Sequence, residues 1–502
     1  MKYRLLCLVS IVLMLTVVFV VQKKEPERNR YHQHLEEPGY TACTNHGEEV
    51  FCTHMPLLSI DTDSSMPEPY LKSEAEEGES EKAQLVENNE MVTASVQVFD
   101  AETGNNHLTD TPTLKERANI RIRGKSSRSF DKKGYLLKFT KENGIDSKNV
   151  SLAGMTAESN WVLHGPVLDK TLLRNYVCYN LAGTIMDYVP EVRFCELFLN
   201  GEYLGVYLIV EKIDYNSTGR CNITKTAPQM TSTSFILLLD TGSDEEEYNM
   251  ETFFDYTGKR GLSNRRSEHF EIVYPSKTLT EAQKTYIIDE ISQLEKSLAS
   301  YDSSDKQRGY PAYLDVDSFV KYFVLNEFMM NADAGRLSTY FCKDIRGKIT
   351  IIGWDYNNTF NNYFVDLTEY QEFYTTNKWY SYLLKDKRFV EQVETIYKEL
   401  RKGILSEEYL LDYIDETVDY LGPAIERNYK KWGYTFTEEY CNAHSDIVLH
   451  PLERNPSNYQ EAIEQLKDAI SLRAGFMDRN IETLYSRCHE SVNKQFSLKN
   501  RK

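Results

Sequence analysis

Two apolar runs, Arg193 to Leu199 and Tyr203 to Val210, are joined by Asn200-Gly201. That dipeptide supplies the left-handed backbone a two-residue turn requires, so the pair predicts an antiparallel β-hairpin. A helix is predicted before it, with Asp169 as N-cap and Leu172, Leu173, Val177 and Leu181 at helical spacing. Further upstream, Thr93 to Phe99, Ala118 to Arg123 and Gly134 to Phe139 alternate as strands do. The basic turn Gly124 to Asp131 separates the last two. The hairpin exits through Glu211-Lys212-Ile213-Asp214.

A glycine- and hydroxyl-bearing turn, a basic strand, a helix, a hairpin and a polar exit follow one another as in a protein-kinase N-lobe. Many α+β domains share that order, so it fixes no function by itself. Beyond residue 215 helices dominate the pattern. Thr280 and Gln283 form a capping box ahead of Ile287, Ile291, Leu294 and Leu298, and Asp317 to Met330 reads as another helix. Arg388 to Leu421 and Tyr459 to Leu484 read as closing helices.

The segment Asn331 to Phe360, NADAGRLSTYFCKDIRGKITIIGWDYNNTF, carries the chemistry. Asp333 precedes a predicted strand, Ser338 to Lys343, and Asp355 directly follows a second, Lys348 to Gly353. One carboxylate before a hairpin and another after it are brought together by the pairing. Phosphoryl transfer uses such a pair: one acid orients the attacking hydroxyl, the other holds a metal between phosphates. The plainer reading of both is a turn-former at a loop end. In RIRGKSSRSFDKKGY, Gly124 lets the backbone approach a ligand, and Ser126 and Ser127 offer hydroxyls. Arg123, Lys125, Arg128, Lys132 and Lys133 concentrate positive charge there, as a triphosphate requires. The alternative is a solvated cationic hairpin.

With 502 residues and a formal charge of -18, the chain suits one bilobed fold or two domains, and nucleic acid is excluded as its main partner. The uncharged run Leu5 to Val21 sits between Lys2 and Arg4 on one side and Lys23 and Lys24 on the other. It reads as an uncleaved signal anchor with the bulk outside the cytoplasm, a cleaved signal peptide being the second reading. Residues up to about Glu37 read as a juxtamembrane linker, and Ser73 to Lys82 as an acidic solvated loop. Eight of the nine cysteines lie beyond the anchor, an even number that suits disulfides. For Cys43 and Cys52, a local disulfide, free thiols and, with His46 and His54, a metal site all stay open. No H-E-x-x-H, C-x-x-C, G-x-S-x-G or Walker A motif is present.

The runs RGKSSRSFDKKGYLLKF, DKTLLRNYVCYNLA, EVRFCELFLNGEYLGVYLIVEKID and NADAG…GWDYNNTF together resemble the CotH (spore coat protein H) kinase-like family in order and spacing. HMPLLSIDT and SLRAGFMDRNIETL extend the resemblance from about His54 to Leu484. It implies an α+β, atypical protein-kinase-like bilobed fold with a β-rich N-lobe and a mainly helical C-lobe, which the anchor read from Leu5 to Val21 precedes. On this reading residues 1–22 are the anchor and 23–90 a linker and extension. The β-rich N-lobe spans 91–215, the mainly helical C-lobe 216–490 with its catalytic and metal loops at 331–360, and a polar tail 491–502. The resemblance implies ATP with Mg2+ or Mn2+ as cofactors, Ser/Thr acceptors in a coat or surface protein as substrate, and association with the spore coat. Asp333 falls on the catalytic acid and Asp355 on the metal acid, with Asn357 where some relatives have a second Asp. Lys132 and Lys133 fall on the lysine pair, and Glu211-Lys212 on the hinge-side strand end. Ser338 stands where many relatives have Asn. Lys170 to Met186 contains no acid for the usual lysine–glutamate pair, which leaves Asp169, Glu196 or Glu211 as substitutes. The alternative function is an interaction protein that keeps this fold without turnover.

Overall fold

The computed structural model describes residues 30–490 apart from 44–49, 68–69, 73–83, 87–88, 103, 125–127, 129, 242–245, 261–267, 369–371 and 377. The expected anchor, the acidic stretch 73–82, His46, Lys125, Ser126, Ser127 and the tail lie outside the described residues. Among the described residues no helix is long and apolar enough to cross a membrane.

Nine strands come first: β1 (Leu57–Thr62), β2 (Tyr70–Lys72), β3 (Gln84–Val86), β4 (Val92–Phe99), β5 (Leu114–Arg123), β6 (Gly134–Phe139), β7 (Asn160–His164), β8 (Val192–Leu199) and β9 (Glu202–Glu211). All but the small β2–β3 hairpin close into a barrel in the order β1-β4-β5-β6-β7-β9-β8. The hairpin expected around Asn200-Gly201 is β8–β9, with Asn200 and Gly201 both at positive φ. The barrel begins earlier than residue 91. β1 pairs antiparallel with β4 and parallel with β8, and its alternate residues Leu58 and Ile60 lie in the barrel interior. A closed barrel leaves no edge exposed, so β1 belongs to the domain rather than to an extension.

The stretch read as a juxtamembrane linker is also folded from residue 30 on. Arg30 donates to Asn180 Oδ1 (3.0 Å) and to the carbonyls of Val189 (3.0 Å) and Pro190 (2.6 Å). The buried Gln33, which opens helix α1 (Gln33–Glu36), accepts the Phe194 N–H at 2.6 Å. Polar composition predicts solvation only where polar groups lack fixed partners, and these have them.

The second half holds a sheet as well as helices. Strands β10 (Phe235–Asp240), β11 (Asn249–Met250), β12 (His269–Tyr274), β13 (Thr339–Lys343) and β14 (Ile349–Ile352) form a five-stranded sheet ordered β11-β12-β10-β13-β14. The helices in chain order are α2 (Arg174–Ile185), α3 (Phe253–Lys259), α4 (Glu281–Leu298), α5 (Val316–Phe328), α6 (Tyr380–Leu383), α7 (Lys387–Leu400), α8 (Glu407–Leu421), α9 (Pro423–Trp432), α10 (Glu438–Ala443) and α11 (Tyr459–Asn480). Asp169 does not cap α2 directly. Its carboxylate instead binds the Thr171 and Arg174 N–H groups across a tight turn in which Leu172 has φ 68°.

One core joins the two halves. On β8 and β9, Cys195, Leu197, Tyr207 and Ile209 fill the barrel, while Val192, Phe194, Val206, Leu208 and Val210 pack outward against α2 and the helical body. Strands apolar on both faces are what a sheet covered on both sides demands. The eight described cysteines are free thiols. Cys43 and Cys52 stand together, but His54 is turned away from them, buried against the rings of Tyr40 and Tyr420.

Candidate active site

Three strand ends meet at one edge of the second sheet. The register pairs Leu239 with Thr339 and Tyr340 with Ile352, which sets Asp240 opposite Ser338 and brings the exit of β14, Trp354-Asp355, alongside. Ser338 Oγ lies 3.4 Å from Asp240 Oδ2 and is also a donor to the Asp355 carboxylate, so its single proton serves one acid or the other. Burial pushes the Asp355 carboxyl upward from its ordinary value. Arg123 and the Ser338 bond oppose this, and the charges of Asp333 and Asp240 reinforce it. The structure thus brings Asp333, Asp355 and Arg123 together and adds Asp240. The signal for Asp240 was the apolar run FILLLD, a strand that ends on its acid.

Asp333 sits in the loop after α5. Its carboxylate accepts from Arg336 at 2.9 Å, and the Tyr363 hydroxyl is 3.5 Å away. Arg336 is shared with the buried Glu268, 3.5 Å off. Gly335 turns the loop at φ 71°, and a Cβ there would meet the Tyr380 ring at 3.1 Å, so a side chain would be strained in backbone and would crowd the ring. Glu327, in the last turn of α5, is fully buried and paired with Arg473 at 2.7 Å, while it accepts the N–H groups of Tyr374 and Thr375.

The Asp355 loop hangs on α2. The Asp355 N–H donates to Tyr179 Oη (3.1 Å), the Tyr356 N–H to Asn175 Oδ1 (2.9 Å), and Arg174 Nε to the Thr359 carbonyl (3.0 Å). The Phe360 N–H donates to the Met329 carbonyl at 2.7 Å, which ties this loop to the one bearing Asp333. Of ten non-glycine residues at positive φ among the described residues, five (Met330, Ser338, Asp355, Phe360 and Asn361) lie in these two loops. Backbone strain concentrated this way marks sites whose geometry the surroundings enforce.

The cations come from the barrel. Ile120 and Ile122 of β5 face its interior, so Arg121 and Arg123 face out. The charges of Arg121, Arg123, Asp214 and Glu271 all reach Lys212, just beyond β9, whose pKa burial lowers. The side chains of Arg123 and Lys212 make no hydrogen bond among the described residues, although the Lys212 carbonyl accepts from Ser217 and Arg220. Trp354, next to Asp355, packs edge-on against Tyr340 and Tyr179, with centroids 5.6 and 6.1 Å away.

The sequence profile of the CotH kinase protein family matches residues 120–477, most of the chain and all of the cleft just described. The chain belongs to the CotH kinase protein family. Comparison with curated proteins returns no match.

Several residues aligned with CotH features sit elsewhere than the linear pattern implied. Lys132 is buried between the barrel and α9, donating to the Val206 carbonyl (2.6 Å) and Asn428 Oδ1 (2.9 Å), and desolvation lowers its pKa to about 7. Lys133 donates to the Arg128 carbonyl at 2.7 Å and so braces the basic turn, in which Arg128 is itself buried. Glu211 points away from Lys212: it binds Arg220 (3.3 Å) and the Glu191 N–H (2.9 Å). Glu211 is the last residue of β9, and Lys212, the first beyond it, lies instead among the charges of Asp214, Arg123 and Arg121. Asn357 donates its side-chain amide to Asn358 (2.8 Å), and Gly124 follows β5 at φ 117°. The candidate substitutes for the CotH helix acid are all engaged: Asp169 with Arg174 (2.6 Å), Glu196 with Arg427 (2.5 Å) and Glu211 with Arg220. In this CotH chain α2 reaches the Asp355 loop through a phenol and an amide.

Proposed function

We propose that this chain is an Mg-ATP-dependent protein kinase that transfers the γ-phosphoryl group to a Ser or Thr hydroxyl of a coat or surface protein. The observation that carries the proposal is the meeting of Asp240 and Asp355 beside Ser338, where the charges of Asp333 and Arg123 also reach Asp355. An all-oxygen donor set of this kind fits Mg2+ or Mn2+, hard ions that prefer carboxylates. Burial first, and the nearby Asp333 and Asp240 after it, make the Asp355 carboxylate costly to ionise, a cost that a bound divalent cation would relieve. Arg123 and Lys212, whose side chains make no hydrogen bond among the described residues, fit a polyphosphate.

Asp355 and Asp240 are the groups that would hold the metal. Ser338 fixes the two relative to each other, in place of the Asn found in many relatives. Asn357 is a further oxygen donor only if its amide leaves Asn358. Bound metal would neutralise charge on the phosphates undergoing transfer. Arg123 and Lys212 orient the phosphates from the barrel side, with Gly124 directly after Arg123. Asp333, steadied by Arg336, orients the acceptor hydroxyl and takes its proton.

Incubating the full chain with γ-labelled ATP and Mg2+ or Mn2+ tests this. Label should appear on the chain itself or on an added Ser-rich protein. Tight nucleotide binding without any transfer would instead make the protein an interaction partner that retains the fold.

A further inference from the structure

On the far side of the barrel a different chemistry gathers. The Sγ atoms of Cys43 and Cys52 and the imidazole of His107 lie within 4.8 Å of one another, and Cys43 Sγ is 3.6 Å from His107 Nε2. The cysteines come from the segment that enters the barrel, and His107 from the loop between β4 and β5, more than fifty positions later. Local sequence spacing therefore gives no hint of the cluster.

The frame around it is built. Asn106 exchanges backbone hydrogen bonds with Thr53 (3.1 and 2.6 Å), and its buried side chain donates to the Met55 carbonyl (2.9 Å) and accepts from the Ala101 N–H (2.8 Å). Asn105 donates to the Thr41 carbonyl at 2.7 Å. These bonds hold both backbone segments beside the cluster. Asp110 Oδ2 takes the His107 backbone N–H (2.8 Å) and lies 3.0 Å from ring Nδ1. A proton on Nδ1, shared with Asp110, leaves the Nε2 lone pair directed at the sulfurs. A carboxylate behind a histidine is the arrangement that orients and strengthens metal-ligating imidazoles.

We infer that Cys43, Cys52 and His107 bind a thiophilic divalent cation of the zinc class, with Asp110 positioning His107. Two sulfurs and one imidazole nitrogen fill three corners of a tetrahedral sphere that zinc accepts and Mg2+ does not. Binding releases one proton from each thiol to solvent and forms two metal–thiolate bonds. No electrons are transferred. The ion would clip the chain leading in from the N-terminus onto the β4–β5 loop, and this inference does not depend on the proposed kinase activity.

The test is metal content of the full chain, purified under reducing conditions without added chelator, together with Co2+ titration. About one zinc per chain is expected, and Co2+ should give the visible bands and sulfur charge-transfer absorption of a tetrahedral thiolate site. Cys43→Ser, Cys52→Ser and His107→Ala should each abolish stoichiometric retention. Asp110→Asn should keep the ligand set and raise the zinc Kd about 10- to 100-fold. Because the cobalt spectrum is read on the unmutated chain, misfolding of a variant cannot hide the answer. A wild-type chain that holds no zinc and shows no thiolate–cobalt spectrum overturns the inference. So does a Cys43–Cys52 disulfide found by mass spectrometry in the untreated protein, or undiminished zinc in His107→Ala.

Discussion

Asp355 is held where an ionised carboxylate is costly. Burial and two neighbouring acids raise its pKa, and its backbone adopts φ 62°, which Asn tolerates better than most residues. The folded state binds this proton more tightly than the unfolded chain does. The resulting stability is present at acid pH and lost as pH rises through the folded value. Asp355→Asn should therefore raise the melting temperature by a few degrees at neutral pH while it weakens metal and nucleotide binding, a divergence that calorimetry can read on one sample. By the same sign, protons should compete with the metal above the ordinary carboxylate range, so metal affinity falls earlier on acidification than for an unperturbed Asp. A lowered melting temperature in Asp355→Asn would show that the charge is compensated without metal. Lysines divide in the same way. Lys212→Ala should weaken nucleotide binding by about 1.5–3 kcal/mol, the range for hydrogen bonds to charged groups, and leave stability unchanged. Lys132→Ala should do the reverse and cost about 1–3 kcal/mol of stability, because it strands the Val206 carbonyl and Asn428.

At the scale of elements, the site rests on two struts. Through Tyr179 and Asn175, α2 holds the Asp355 loop, and the Glu327–Arg473 pair locks α5 and the 372–375 loop beneath Asp333. Arg473→Ala leaves a buried carboxylate unpaired and should cost about 3–5 kcal/mol, measurable by denaturant unfolding. A cost below 1 kcal/mol would mean that Glu327 is neutralised by its other partners. Asp333 and Asp355 were legible in the sequence because a hairpin joins them locally, and the β8–β9 hairpin because Asn200-Gly201 announces itself. Asp240 was not, since its approach depends on the pairing of β10 with β13, about a hundred residues apart and set by tertiary register. Lys132 and Glu211 misled for a related reason. Charge counted along the chain does not say which way each residue points: Lys132, in the turn before β6, reaches back to the Val206 carbonyl and Asn428, and Glu211, at the end of β9, turns to Arg220.

For the molecule as a whole, closure of the barrel by β1 and the core shared between its outer wall and the helices make one cooperative unit. A chain beginning at residue 91 should lose its sharp thermal transition, whereas one beginning at residue 30 should keep it. Equal melting temperatures for the two would remove β1 from the domain. The cleft exists only because both halves pack together: the barrel contributes the cations and the second sheet the acids. These groups are proposed to form a phosphoryl-transfer site with divided roles. It is tested most directly by measuring labelled phosphate transfer and Mg-ATP affinity side by side for wild type, Asp333→Asn and Asp355→Asn. Wild type should transfer phosphate. Asp333→Asn should bind Mg-ATP nearly as well yet lose about 10²–10⁴ in rate, as loss of a general base does. Asp355→Asn should lose binding and rate together, with partial recovery at high metal concentration. Full transfer by Asp333→Asn, or nucleotide affinity untouched in Asp355→Asn, would contradict the account.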